Sequence, residues 1–248
     1  MKIATVATGG IGGYLAVKLA KQGHEIATVA RGTHLDAIKL NGLKLVTSDN
    51  VEIVKPWKAT SNTKEIGPVD AIIFGVKAND LKEASKACIP MLNENTLVVP
   101  FLNGVEAASR LLEVLPRKNV VNGTAKISTT IQEPGVVKQT GSFANFIFAE
   151  LDSKSSPRIQ KLQNAFKNAG ICAPKTNDID RDLWSKFVLF SSMSGITAAA
   201  RCTIGDLRAS NELTAFCQSI MAETAMVGRR IGINLSDSLE ASLWEVIT

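Results

Sequence analysis

The sequence has few of the residues that several common classes of functional site need. Two histidines and four scattered cysteines without a CxxC pair argue against a zinc site and against a histidine-based catalytic triad. Only 5% of the residues are aromatic, and the net charge of +5 is mild and spread along the chain. This composition argues against nucleic-acid binding, whereas a small anionic ligand would explain the basic balance.

Long apolar runs are also missing. No stretch approaches the roughly 18 apolar residues of a membrane span, and the chain opens on a predicted strand, MKIATVA, with no charged and then apolar leader. The four cysteines are interpreted as small buried residues of a reducing compartment. A cytoplasmic protein without a bound metal is therefore expected.

The first half of the sequence alternates short apolar runs with helical patterns. The predicted strands cover residues 2–7, 25–30, 70–76 and 96–101, with a hairpin over 44–47 and 51–55. The predicted helices cover residues 11–22, 80–91 and 105–115. This alternation predicts a parallel sheet covered by helices on both faces.

The pattern changes after residue 119. Three further strands, over 120–131, 135–139 and 143–150, are predicted to extend the same sheet as antiparallel members, followed by a helix over 158–169 and a strand over 171–175. From about residue 178 the pattern is helical.

The predicted fold class is α/β. A Rossmann-type doubly wound sheet is predicted over residues 1–177, and a smaller all-helical domain over residues 178–248. The helical part is small for a core of its own, so we expect it to be incomplete or to lean on the first domain and a partner subunit.

A glycine-rich turn lies between the first predicted strand and the first helix. It resembles the dinucleotide-binding fingerprint, with an alanine in place of the first glycine. Its candidate cofactor-binding residues are Ala7, Thr8, Gly9, Gly10, Ile11 and Gly12. Gly9 would let the backbone approach a pyrophosphate, Gly12 would let the helix pack close to the strand, and the helix N-terminus would attract the phosphates. A tight turn without a ligand is the alternative, and the Cβ of Ala7 is expected to strain it.

The end of the second strand carries no acidic residue. NAD-binding proteins use an Asp or Glu there to hold the ribose 2′-hydroxyl, whereas this chain has Ala30-Arg31-Gly32. Because a guanidinium can hold a 2′-phosphate through two bonds, Arg31 predicts NADP(H) as the cofactor. A solvated loop arginine is the alternative, and Thr33 and His34 are interpreted as the start of a helix.

Three further polar residues are candidates. Lys77 directly follows one predicted strand and Asn103 follows the next, so both should lie at the carboxyl edge of the sheet. Lys77 could hold a substrate carboxylate or a cofactor hydroxyl, and Asn103 could bind the nicotinamide ribose or the substrate. The alternatives are a surface lysine and a turn-forming Asn-Gly. Lys186 shares a helix face with Phe190, and it either extends to water or is partly buried, where it would be a good general acid.

Together these segments resemble the ketopantoate reductase (2-dehydropantoate 2-reductase) family. The resemblance covers essentially the whole chain and rests on MKIATVATGGIGGYLAVKLAKQGHEIATVARG, FGVKAND, PFLNGVE, EPGVVKQTG and DLWSKF followed by Gly205-Asp206-Leu207. It implies that residues 1–177 bind NADP and that residues 178–248 serve substrate binding or dimerisation. It also implies NADPH-dependent reduction of a 2-keto acid, as in pantothenate biosynthesis. By motif, Lys186 matches the family's catalytic lysine, Lys77 and Asn103 match its cofactor and substrate contacts, Arg31 matches its NADP-selecting arginine, and Thr129 matches a small residue that touches the cofactor.

The chain also departs from the family pattern. The family has asparagines four and eight residues after the lysine, where this chain has Phe190 and Ser194, so that only the hydroxyl of Ser194 remains to bind substrate. It also stops before the later helix that carries a serine and a glutamate of the family's site. Two alternatives follow: a D-2-hydroxy acid dehydrogenase for branched or aromatic 2-keto acids, which Phe190 slightly favours, and a non-catalytic NADP-binding paralogue. A homodimer is a further expectation.

Overall fold

Nine strands and nine α-helices build the computed structural model, which describes residues 1–247. The strands are β1 (Lys2–Val6), β2 (Glu25–Val29), β3 (Leu43–Val46), β4 (Val51–Val54), β5 (Lys58–Thr60), β6 (Ala71–Phe74), β7 (Leu97–Pro100), β8 (Val121–Glu133) and β9 (Val136–Glu150). The helices are α1 (Gly10–Lys21), α2 (Gly32–Asn41), α3 (Leu81–Cys88), α4 (Ala107–Leu112), α5 (Pro157–Asn168), α6 (Ile179–Ala200), α7 (Ile204–Ala209), α8 (Asn211–Arg230) and α9 (Leu239–Ile247). Two units divide the chain, Met1–Ile179 and a second that begins at Asp180. The observed division thus lies two residues after the predicted one.

The centre of the first unit is a five-stranded parallel sheet in the order β5-β2-β1-β6-β7. Its register places one residue of each strand in a single row: Thr60, Val29, Val6, Phe74 and Pro100. The carboxyl ends of all five strands are therefore level. This sheet, with helices between its strands, confirms the predicted Rossmann-type fold, although the short edge strand β5 was not predicted.

Strand residues alternate between two buried clusters, one on each face of the sheet. In β6, Ala71 and Ile73 join the cluster that contains α1 and α5, while Ile72 and Phe74 join the cluster that contains α3 and α4. All four side chains are fully buried, which explains the uninterrupted apolar run of this strand. The three larger side chains, those of Ile72, Ile73 and Phe74, each contribute about 1.5–3 kcal/mol to folding.

The prediction that β8 and β9 extend the parallel sheet is wrong. They pair with each other as a long antiparallel hairpin, β9 lies parallel to β3, and the resulting sheet has the order β4-β3-β9-β8. A single bridge, Val98 to Val120, connects it to the parallel sheet. The two strands predicted over 135–139 and 143–150 form the single strand β9, and the strand predicted over 171–175 is reduced to one bridge at Cys172. The predicted hairpin over β3 and β4 is confirmed.

Helix α1 packs against the second sheet as well as the first. A Cβ built on Gly13 would lie 2.5 Å from Cγ2 of Val137 in β9. Since real Cβ atoms do not approach this closely, the glycine sets how near the helix and the second sheet can come.

The second unit has its own helical core, built from α6, α7, α8 and α9. Helix α7 starts with a capping box in which the side chains of Thr203 and Asp206 each accept from the other's backbone N–H. Arg229 of α8 binds both carboxylate oxygens of Glu240 in α9 at 2.7 Å, which links the last two helices. Among the described residues, no helix is long and apolar enough to cross a membrane.

Candidate functional site

The candidate residues of the first unit lie together at one edge of the parallel sheet, just beyond the carboxyl ends of its strands. Thr8, Arg31, Lys77 and Asn103 each stand two or three residues beyond the row that crosses β1, β2, β6 and β7. Arg31, Lys77 and Asn103 are all exposed there, and Asn103 is followed by Gly104 at a φ of +95°. Open α/β sheets bind their ligands beyond this edge.

Ala7 adopts the left-handed conformation that the fingerprint normally gives to glycine. Its φ is +56°, which agrees with the strain expected from its Cβ, and its carbonyl accepts from the Gly9 N–H at 2.7 Å. The next residue, Thr8, is buried, and both its N–H (3.0 Å) and its hydroxyl (3.2 Å) lie within hydrogen-bond distance of the Val29 carbonyl. These bonds to β2 hold a turn that costs about 1–2 kcal/mol without a glycine.

The glycines of the turn differ in whether a side chain would fit at their positions. A Cβ on Gly10 would lie 2.7 Å from two oxygens of Thr129, and one on Gly12 would lie 2.9 Å from the Ala7 carbonyl oxygen. Packing therefore explains both. A Cβ on Gly9 would meet no protein atom closer than 3.9 Å, so packing does not require this glycine. Its side-chain position is open, as close approach of a pyrophosphate demands.

The N-terminus of α1 fits an anion. The helix begins at Gly10, and its N-cap residue, Gly9, has no side chain to occupy the free N–H groups. The first turn contains the half-buried Ile11 and no acidic residue. The N–H groups of the first turn and the positive end of the helix dipole favour phosphate here.

A cleft of about 360 Å³ opens beside this turn. It is lined by the predicted residues Ala7, Thr8, Gly9 and Arg31. Among the lining residues that sequence reasoning did not assign to the site are His34, Ser61, Thr63, Val76, Asp80, Glu83 and Ile131. Lys77 directly follows Val76 and caps the short 3₁₀ helix Ala78–Asp80. No local signal in the sequence identifies Ile131, since it reaches the cleft only because β8 packs beside the turn.

Arg31 is placed for a phosphate at the rim of this cleft. It is the N-cap residue of α2 with no side-chain capping bond, and no acidic residue lies in the first turn of that helix. Within residues 1–247 no carboxylate pairs with its guanidinium within 4 Å. The group is therefore available to an anion from solution.

The second unit holds the remaining candidates on one helix, α6. The side chain of Lys186 is buried, with 6% exposure, and its Nζ lies 5.1 Å from the centre of the Phe190 ring. Burial, and not extension to water, is thus the outcome for this lysine. Ser194 is exposed, and its hydroxyl donates to the Phe190 carbonyl at 2.6 Å. Since that bond uses the only hydroxyl proton, Ser194 could meet a substrate only as an acceptor.

Comparison with known protein families agrees with this geometry. The family model described as ketopantoate reductase PanE/ApbA matches residues 3–153, and the model of its C-terminal part matches residues 178–248. The chain belongs to the ketopantoate reductase family.

Curated relatives and solved structures match most or all of the chain. A 2-dehydropantoate 2-reductase of Mesorhizobium japonicum is 30% identical over 254 residues, which cover 94% of this chain and 77% of the relative. The crystal structure of a 2-dehydropantoate 2-reductase from Porphyromonas gingivalis W83 matches with a TM-score of 0.94 and 30% identity, over 100% of this chain and 88% of that one. A D-mandelate dehydrogenase in a ternary structure with NADH and anilino(oxo)acetate has a TM-score of 0.90 and 22% identity, over 100% and 80%. The last likeness is one of fold alone.

As a member of this family, the protein is an oxidoreductase that acts on CH–OH groups and uses a nicotinamide nucleotide to reduce a 2-keto acid. The residues of its first unit fit such a nucleotide. Gly9 leaves open the space that a Cβ would fill, the first turn of α1 carries no acid, and a cleft adjoins both.

Proposed function

We propose that this protein reduces 2-dehydropantoate to pantoate with NADPH. The observation that carries the choice of NADPH is Arg31, an unpaired guanidinium at the cleft in the place where NAD-binding proteins have a carboxylate. A carboxylate there would repel a 2′-phosphate, whereas a guanidinium can hold it through two charge-assisted bonds.

The proposed cofactor site uses residues of the first unit. The backbone from Ala7 to Gly12 would receive the pyrophosphate, and Arg31 would hold the 2′-phosphate. Lys77, Asn103 and Thr129 would contact the rest of the cofactor. When bound, the reduced nicotinamide supplies the hydride for the keto carbon.

Lys186 is the proposed catalytic residue. Its ammonium would donate a proton to the alkoxide oxygen as the carbonyl is reduced and would stabilise the negative charge before the transfer. Its burial supports the role, because the charge of an ammonium acts more strongly on a developing alkoxide where water is excluded. Asn103 would orient the substrate, and the oxygen of Ser194 would accept from a substrate hydroxyl.

A second candidate substrate class is favoured by one residue. The Phe190 ring is 39% exposed and lies beside the ammonium of Lys186, where the family pattern has an amide. An apolar ring next to the proton donor suits a branched or aromatic 2-keto acid, which a D-2-hydroxy acid dehydrogenase would reduce.

Steady-state kinetics separate these possibilities. The purified protein is assayed by NADPH and NADH absorbance with 2-dehydropantoate, a branched 2-keto acid and phenylglyoxylate. We expect the highest kcat/KM with 2-dehydropantoate and NADPH. A preference for phenylglyoxylate would support the second candidate, and tight NADPH binding without turnover of any keto acid would indicate a non-catalytic paralogue.

The role of Lys186 is tested by Lys186→Ala. Loss of a general acid lowers kcat by about 10²–10⁴-fold, while the Kd for NADPH should stay within twofold. Lys167→Ala, which removes an exposed lysine of α5, is the matched control and should change neither. Equal kcat in the wild type and Lys186→Ala would exclude the lysine as the acid.

A further inference from the structure

His34 joins two turns that are far apart in the sequence. Its Nε2 lies 2.8 Å from the carbonyl oxygen of Thr8, and its Nδ1 lies 3.0 Å from the backbone nitrogen of Gly135. A backbone N–H can only donate, so Nδ1 is the acceptor and carries no proton. Nε2 therefore carries the proton and donates to Thr8. The ring is neutral, in a single tautomer, with both nitrogens used.

One of these turns is the strained one. Thr8 follows Ala7, whose φ of +56° is unfavourable for a residue with a Cβ. Thr8 is held from one side by the bond from its N–H to the Val29 carbonyl, and its hydroxyl lies within hydrogen-bond distance of both Val29 and Thr5. From the other side it is held by the bond from His34 to its carbonyl. The backbone around Ala7 is thus fixed by its neighbour, where a glycine would adopt the conformation without help.

The turn between β8 and β9 can approach α2 only because it contains a glycine. Gly135 has a φ of +78°, and a Cβ at this position would lie 3.0 Å from the Cβ of Ala37 in α2. The turn between β8 and β9 therefore lies directly against α2, where its N–H reaches the imidazole.

We propose that His34 is a positioning residue of the cofactor site, which acts by fixing the Thr8 carbonyl and thereby the pyrophosphate-binding backbone after Ala7. The inference rests on the proposed nucleotide site at this turn. In the usual fingerprint the first glycine allows this turn conformation, whereas here the bond from His34 would stabilise it around Ala7.

A double-mutant cycle with Ala7→Gly tests the proposal. His34→Ala should weaken NADPH binding about 3–10-fold, the effect of one hydrogen bond, as measured by fluorescence titration. In the Ala7→Gly background the same change should weaken binding less than twofold, because glycine adopts the turn unaided. His34→Gln keeps an N–H donor for Thr8 and should recover part of the affinity. His24→Ala, which removes the other histidine of the chain, should leave the Kd unchanged.

Two further measurements keep the outcomes distinct. Long-range ¹H–¹⁵N spectra of the labelled histidines should show His34 protonated at Nε2 alone, without any cofactor present, and a protonated Nδ1 would overturn the proposal. Equal Kd values for the wild type and His34→Ala would overturn it too, as would equal losses in both backgrounds. If the wild type binds neither NADPH nor NADH, the proposed function fails, while the tautomer still reports on the bridge. Should His34→Ala fail to fold, His34→Leu, which also removes the N–H donor but keeps more of the side-chain volume, carries the same comparison.

Discussion

Removal of the guanidinium at the cleft should change which nicotinamide nucleotide the protein prefers. In Arg31→Ala the 2′-phosphate of NADPH loses a charge-assisted hydrogen-bond partner, a contact that contributes about 1.5–3 kcal/mol. Because Arg31 is exposed, solvent weakens the interaction, and we expect the lower half of that range, about 1.5–2 kcal/mol. This corresponds to a loss of about 10–30-fold in NADPH affinity.

The structure also indicates what should not change. Arg31 makes no side-chain capping bond to α2, so its loss should alter the free energy of unfolding by less than about 0.5 kcal/mol. NADH has no 2′-phosphate, so its kcat/KM should stay within about twofold of the wild-type value.

The assay measures kcat/KM for both nucleotides at saturating keto acid and at two salt concentrations. The NADPH/NADH ratio should fall by the factor above in Arg31→Ala, and added salt should weaken NADPH binding more in the wild type than in the variant. Arg117→Ala removes an exposed arginine remote from this cleft and is the control. An unchanged ratio in Arg31→Ala would refute the assignment of the 2′-phosphate to this residue.

Three further predictions follow from contacts described above. Gly13→Ala adds a Cβ 2.5 Å from a side-chain carbon of β9, so overpacking of about 1–3 kcal/mol should outweigh the better helix propensity of alanine and lower the Tm. Gly9→Ala should leave the Tm unchanged and weaken NADPH binding about tenfold. Thermal melts and titrations compare the two variants, and the opposite pattern would contradict the different roles assigned to these glycines. The hydrogen bonds from Arg229 hold the pKa of the Glu240 carboxyl below its usual value, so their stabilisation is present above that value, near 4.5, and is lost as the pH falls through the lowered pKa. Urea unfolding should therefore find Glu240→Gln about 1 kcal/mol less stable than the wild type at pH 7 and equal to it well below pH 4.5, and a constant difference would argue against the pair. Burial raises the pKa of the Cys88 thiol to about 12, so iodoacetamide should label it only after unfolding, and rapid labelling of the native protein, read by peptide mass, would contradict that burial.

Local patterns in the sequence predict the parallel sheet well. An apolar run such as that of β6 is typical of a strand buried on both faces, and helices between such strands make neighbouring strands parallel. The second sheet could not be predicted in the same way, because β3 pairs with β9, a partner far along the chain. Nothing within either strand specifies that pairing.

The candidate site shows the same division. Arg31 and the glycine-rich turn could be identified because ligands of this sheet type bind at the carboxyl ends of strands, which the strand pattern locates. The burial of Lys186 could not be decided, since a helix face with mixed apolar and charged residues allows a lysine to point either way. Ile131 and the bridge made by His34 depend on the second sheet, so they share its unpredictability.

The contact of α1 with β8 and β9 has a consequence for how this sequence can vary. Gly10 meets Thr129, and Gly13 meets Val137, at distances that leave no volume for one extra methyl group. A larger residue on the helix would have to be accompanied by a smaller one, or a displaced strand, on the hairpin. Substitutions that enlarge a side chain on α1 should therefore occur together with substitutions that shorten one on the hairpin of β8 and β9. A hairpin grafted from a relative should function only if the α1 of that relative is grafted with it.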